Sequence, residues 1–315
     1  LFGGMQAGKE AGGPAVRYAG RQLMLTTAMP AQYTPRDVEI LRSLARCPLS
    51  AEQLLRLSAT FAQPFTAIRR VRRRLHVLAL AGWVQRWQYA TTSRGAQNYY
   101  KLSPAGFRLL NGPKTPLPSR GYFRAVSLGL QEHTRALADF IVHTLISTQT
   151  ASIPVLTFHR ENELRLEMGD QMLMPDCALQ LRTGAGELLS FCIEIDNGTE
   201  PVFSSKERDS WQRKIRFYER YQDGLSQRFR VVVLTTKSDC RHLAILRAAS
   251  QLVRNPQRRL LYAAPLADYL AAPGGVLAPC FLDHVQRPCA MVPPLRKPLA
   301  PPRPVPRLDL TLALW

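Results

Sequence analysis

Residues 229–236, FRVVVLTT, set the strongest constraint on the fold. Side chains alternate between the two faces of a strand, so the unbroken apolar run from Val231 to Leu234 greases both faces at once. Such a strand must be covered on both sides, and helices flanking a largely parallel sheet are the usual cover. The surrounding sequence agrees. Helical patterns occupy 205–222 and 239–254, and strand patterns fall near 153–158, 164–168, 176–182 and 188–196. A long helix over 126–148 precedes them, with Leu128, Leu137, Phe140, Ile141 and Leu145 as its buried positions. Residues 126–272 therefore read as an α/β domain.

The 315 residues are enough for a second domain and its connections. Thr34 before Pro35 caps one short helix, and Ser50 with Gln53 forms a capping box for another. A third helix over 64–80 carries Ile68, Val71, Leu75 and Leu78 on one stripe and ends before Gly82. Alternating residues 83–89 and 98–102 form a hairpin, and Ser103-Pro104 opens a last helix. Three helices, a hairpin and a helix over 34–112 give a winged helix-turn-helix layout. Residues 1–33 read as a flexible arm, 113–125 as a linker, and 273–315 as a Pro-rich tail of extended or disordered chain.

Charge is distributed unevenly. Residues 1–150 hold 20 Lys and Arg against 6 Asp and Glu, whereas 151–315 hold 22 against 17. An excess on one half points first to a polyanion as partner. No window reaches the ~18 consecutive apolar residues of a membrane span, and no signal-peptide layout opens the chain, so a cytoplasmic protein without a membrane partner is expected. The six cysteines include no C-x-x-C pair and read as reduced thiols, and Cys240 with His242 lacks a second pair for zinc.

The charge concentrates in RRVRRR, residues 69–74. Arg69, Arg70, Arg72, Arg73 and Arg74 on one short helix repel each other unless phosphates neutralise them, and no acid lies between Glu52 and Glu132. Double-stranded DNA is the expected partner. Thr66, Arg69, Arg70 and Arg73 are the side chains available for base edges, with Arg86, Arg94 and Lys101 of the wing adding backbone contacts. Symmetric readers often dimerise, and the 126–148 helix is a candidate contact surface for a homodimer.

A different chemistry appears in FCIEIDNGTE, residues 191–200, where Glu194 and Asp196 leave one face of a strand. Asp176, opening the preceding strand after Pro175, projects beside Glu194. Like charges so close need a cation or a basic group between them. Two such carboxylates can hold Mg²⁺ or Mn²⁺, with Lys214 on the following helix to stabilise developing charge and Glu163, in RENEL, as a further acid. The alternative is that Asp196 opens the turn at Gly198 and Glu194 pairs with an arginine.

The pattern PD, EIDNGTE, Lys214 and Tyr218, preceded by a winged helix, resembles the replication-relaxation family of plasmid and integrative-element proteins. The resemblance covers roughly residues 34–236. It implies an α+β two-domain architecture, with a C-terminal α/β PD-(D/E)XK nuclease-like domain after the winged helix. It also implies Asp176 and Glu194 as metal ligands and Lys214 as the catalytic lysine. The usual motif places a lysine two residues after the acid, and here that place holds Asp196. Two functions follow from this pattern. One is metal-dependent DNA nicking linked to plasmid replication or mobilisation, alongside plasmid replication or transfer proteins. The other is a non-catalytic DNA-binding accessory or transcriptional regulator with a degenerate nuclease fold.

Overall fold

The N-terminal helices begin where the caps place them. In the computed structural model, which describes residues 33–90, 97–204, 206, 209–237, 240–255 and 257–293, α1 (Pro35–Arg46) starts at the Thr34 cap and α2 (Ala51–Leu57) at the Ser50–Gln53 capping box. The third helix, α3 (Ile68–Leu80), starts four residues later than the periodicity suggests. Phe65 is buried there and donates its N–H to the Ser58 hydroxyl at 3.0 Å, so residues 64–67 serve as a plug and turn. Strand β1 (Leu49–Ser50) joins β2 (Val84–Gln88) and β3 (Asn98–Leu102) in a sheet of order β1-β3-β2, and α4 (Pro104–Asn111) follows from its Ser103 cap.

Residues 113–125, expected as a linker, fold back onto this module. They carry the short α5 (Arg120–Phe123), whose Tyr122 packs edge-on against Phe107 with ring centroids 5.8 Å apart. The long helix α6 (Gln131–Thr150) then packs directly on α2. Gln53 donates to the Arg135 carbonyl at 3.3 Å and to the Asp139 carboxylate at 3.1 Å, and Arg56 pairs with Asp139. One apolar core runs without a break from Ile40 and Leu54 through Val71 to Leu137 and Phe140 of α6.

The larger sheet has seven strands in the order β12-β11-β10-β9-β8-β7-β4. These are β4 (Val155–His159), β7 (Cys177–Arg182), β8 (Leu188–Asp196), β9 (Phe229–Thr235), β10 (Leu261–Pro265), β11 (Phe281–Asp283) and β12 (Pro288–Cys289). A separate hairpin of β5 (Leu166–Met168) and β6 (Gln171–Leu173) lies between β4 and β7. Strands β8, β9 and β10 run parallel, as the FRVVVLTT run requires, and the outer pairs run antiparallel. Helix α7 (Trp211–Asp223) crosses from β8 to β9 and α8 (Arg241–Leu252) from β9 to β10, with α9 (Leu266–Ala271) following. Alternation along β9 sorts the core. Val232 and Leu234 face the α6 layer, whereas Val231 and Val233 join Ile215, Tyr218 and Ile245 of the α7–α8 layer. The fold is a mixed α/β arrangement in which a covered sheet sits behind the N-terminal helices.

Residues 273–293, expected to begin the Pro-rich tail, instead return to the sheet. Phe281, Met291 and Val292 are buried, and Val292 N–H donates to the Val276 carbonyl at 2.9 Å. Proline density at the sequence level masked this apolar set. The expected arm through residue 32, and the tail from 294 onward, lie outside the described residues.

Candidate functional site

Helix α3 buries Val71, Leu75 and Leu78, and this fixes where its arginines go. Arg69, Arg70, Arg72 and Arg73 are exposed. Arg72 reaches the Glu52 carboxylate at 2.7 Å, while Arg69, Arg70 and Arg73 meet no acid among the described residues. Arg74 corrects the sequence reading. It turns inward onto Asp37 with a two-pronged ion pair, and Asp37 is fully buried. Burial works to raise the Asp37 carboxyl, but Arg74 and the Thr34 amide and hydroxyl outweigh it and hold it below its usual value.

Lys101 is a second correction. Strand β3 is the central strand of its sheet, so Lys101 is buried, donates its Nζ to the Arg124 carbonyl at 2.6 Å, and is pushed down to about 8 by that burial. Thr66 is exposed in the turn before α3 and Arg86 is exposed on β2. Arg94 lies outside the described residues.

The acids converge at the end of β8. Glu194 is 3% exposed and faces α7, where Lys214 and Tyr218 stand one helical turn apart. Lys214 Nζ lies 3.0 Å from Glu194 Oε2, and the Tyr218 hydroxyl donates to Oε1 at 2.5 Å. Burial pushes the Glu194 carboxyl up to about 7 against the pull of Lys214; Asp176 adds to the rise and Tyr218 opposes it. Lys214 also touches Glu200 at 2.9 Å, and although burial opposes its charge, the two glutamates hold its ammonium above the ordinary value.

Asp176 is knitted to the same strand. Its N–H donates to the Ile193 carbonyl at 3.0 Å and its Oδ2 accepts from Ile195 N–H at 2.6 Å, so it grips β8 on both sides of Glu194. Its Oδ1 lies 3.0 Å from His133 Nε2. Burial disfavours a charge on His133, but Asp176 overrides it and the imidazole sits above its usual value.

Two predicted acids stand elsewhere. Asp196 shares the α7–α8 side of β8 with Glu194, but Arg241 grips its carboxylate at 2.7 and 3.1 Å and Trp211 Nε1 donates at 3.2 Å. With both oxygens taken inside the core, Asp196 serves as a structural anchor. Glu163 is exposed and closes a turn by accepting from Arg160 N–H at 3.0 Å, with Asn162 between the two glutamates at φ 64°. Its neighbour Glu161 is the half-buried acid of this turn, raised first by burial and then by Asp176. The helix expected over 205–222 begins at Trp211, whose N–H is taken by the Pro201 carbonyl. Sequence reading missed Arg241 and His133, which carry no local signal because both approach from helices distant in the chain. Glu161 stood in the same RENEL segment, and only the turn geometry separates it from Glu163.

Among the described residues no group of three or more His, Cys, Asp and Glu stands together in a way that could hold a metal ion. Mg²⁺ and Mn²⁺ suit oxygen donors, and Mg²⁺ takes only one or two carboxylates, leaving the rest of its shell to water and phosphate. Asp176 and Glu194 are two oxygen donors of that kind, each already engaged on both oxygens, Asp176 by Ile195 and His133 and Glu194 by Lys214 and Tyr218. Burial is the main cause of the rise of Glu194.

Comparison with known proteins gives one family. The model of the replication-relaxation family matches residues 41–233, more than half of the chain. No curated protein matches. A solved structure of Bacillus subtilis PadR in complex with operator DNA is similar at 12% identity over 38% of this chain and 71% of that chain, with a TM-score of 0.23, too low to bear on fold or function. Among the described residues no helix is long and apolar enough to cross a membrane.

Proposed function

This chain belongs to the replication-relaxation family, and from that premise we propose that it is a DNA-binding protein of a mobile element that grips duplex DNA through α3. The observation that carries the reading is the trio Arg69, Arg70 and Arg73, exposed and without an acid partner among the described residues. A helix with three free guanidiniums on its outer face is costly in isolation and favourable against phosphate. The order α1, α2, α3 and the β2–β3 pair supports a winged helix-turn-helix reading of residues 34–112, with α3 as the helix offered to the major groove. Fluorescence anisotropy with a mixed-sequence duplex tests it. Wild type binds at low salt, and the triple variant Arg69→Ala, Arg70→Ala, Arg73→Ala does not; equal affinity of the two overturns the reading.

Residues 126–272 support a PD-(D/E)XK nuclease-like reading in which Asp176 and Glu194 hold Mg²⁺ or Mn²⁺. The cation would neutralise a phosphodiester and lower the pKa of a bound water. In this reading Lys214, paired with Glu194, would stabilise charge developing on the phosphate. Tyr218 fixes the Glu194 carboxylate from the opposite side. The competing reading, a non-catalytic accessory or regulator, draws its support from Asp196, which occupies the usual lysine position and is locked to Arg241. Nicking of supercoiled plasmid in the presence of Mg²⁺ separates the two.

A further inference from the structure

The contact between His133 and Asp176 joins the acid site to a helix that the sequence pattern did not connect with it. His133 lies in the first turn of α6, and its Nε2 stands 3.0 Å from Asp176 Oδ1. The helix is tied down around this residue. Gln131 accepts from Ala90 N–H at 2.8 Å, Glu132 pairs with Lys237 at 3.4 Å, and the Arg135 carbonyl and Asp139 are held by α2. The imidazole is therefore presented from a fixed frame, and its side chain is only 16% exposed.

Asp176 needs such a partner. It sits just before β7, outside the regular ladder, where backbone pairing alone does not set its carboxylate. Ile195 N–H fixes Oδ2 and His133 fixes Oδ1, so the carboxylate plane is defined by two donors from different layers. Fixing a ligand carboxylate through a second donor is how outer residues tune metal sites.

We propose that His133 is a positioning residue of the acid site, holding Asp176 so that it and Glu194 are presented together to a divalent cation. This rests on the reading of Asp176 and Glu194 as cation ligands. His133 acts through Asp176. It makes α6 the element that links the DNA-gripping module to the acids, because the same helix carries the α2 contacts.

Calorimetric titration of the full chain with Mn²⁺ at constant pH tests the proposal, with a thermal melt of each variant as a fold control. His133→Ala is expected to weaken Mn²⁺ binding by about 10- to 100-fold, the usual effect of losing an outer-shell partner. His133→Gln, which retains an N–H donor, is expected to recover most of that loss, and Glu163→Gln to bind as wild type does. If His133→Ala fails to fold, the comparison of His133→Gln with His133→Leu replaces it, with the same expectation for the donor-free side chain. Wild-type or tighter affinity in the donor-free variant overturns the proposal, the tighter case meaning that the imidazole merely competes with the cation. Absence of Mn²⁺ binding by wild type overturns the cation reading itself, and this inference with it.

Discussion

Arg73 and Arg74 are neighbours on one helix, and the structure gives them opposite duties. Arg74→Ala leaves the Asp37 carboxylate, 0% exposed, without its charge partner. Removing one member of a buried ion pair costs about 3–5 kcal/mol because the remaining charge stays desolvated. At roughly 2–4 °C per kcal/mol for a domain of this size, the melting temperature should drop by roughly 6–20 °C. Arg73→Ala removes an exposed side chain with no acid partner among the described residues and should change stability by less than about 0.5 kcal/mol. On DNA the order reverses. Each phosphate contact contributes about −0.9 to the slope of log K against log salt, so losing Arg73 alone relieves about half a decade of the affinity lost between 50 and 200 mM salt. Losing Arg69, Arg70 and Arg73 together relieves about 1.6 decades over the same range. Differential scanning calorimetry and anisotropy over a salt series read both quantities, with Arg74→Ala assayed well below its melting point. Arg74→Ala that melts like wild type while flattening the salt slope as Arg73→Ala does would refute the division of labour.

Three further outcomes follow from the core. Glu194 binds its proton more tightly in the folded chain, at about 7 against an ordinary 4.5, so it favours folding fully below about 4.5, and that contribution is lost as the pH rises through about 7. Glu194→Gln should therefore gain melting temperature relative to wild type between pH 4.5 and 7 and level off above, and a flat difference across that window contradicts the assignment. Arg241→Ala should destabilise by about 3–5 kcal/mol in chemical denaturation, since Asp196 is 4% exposed; a loss below about 1 kcal/mol, as for exposed pairs, means that Asp196 is not the anchor described. Gly275→Ala should lower the melting temperature while leaving DNA affinity intact, because Gly275 holds φ 50° and an added Cβ would stand 2.1 Å from the Ser147 side chain; an unchanged melt shows that the C-terminal return to the sheet is looser than drawn.

Periodicity and capping made most of the local structure legible. The capping residues Thr34, Ser50 and Ser103 are local signals and fixed three helix starts. The Val231–Leu234 run demanded cover on both faces, and the α6 and α7–α8 layers supply it. Glu194 with Lys214 and Tyr218 was readable because the helix repeat puts the last two on one face. What failed was long-range. Nothing near Arg74 in sequence shows that Asp37 waits 37 positions away, and nothing near Asp196 shows Arg241. A charge run looks uniform in sequence, yet the buried stripe of α3 splits it into three arginines with no acid partner among the described residues, one surface pair from Arg72 to Glu52 and one core ion pair from Arg74 to Asp37. Likewise Lys101 reads as a wing cation until pairing makes β3 the central strand.

The most direct measurement is the conversion of supercoiled plasmid to nicked circle in Mg²⁺, with DNA binding followed in parallel. The account predicts that wild type nicks, and that Asp176→Ala, Glu194→Ala and Lys214→Ala each bind the plasmid but leave it supercoiled. A wild-type protein that binds through Arg69, Arg70 and Arg73 yet never nicks, or nicking that survives the loss of Glu194, contradicts it.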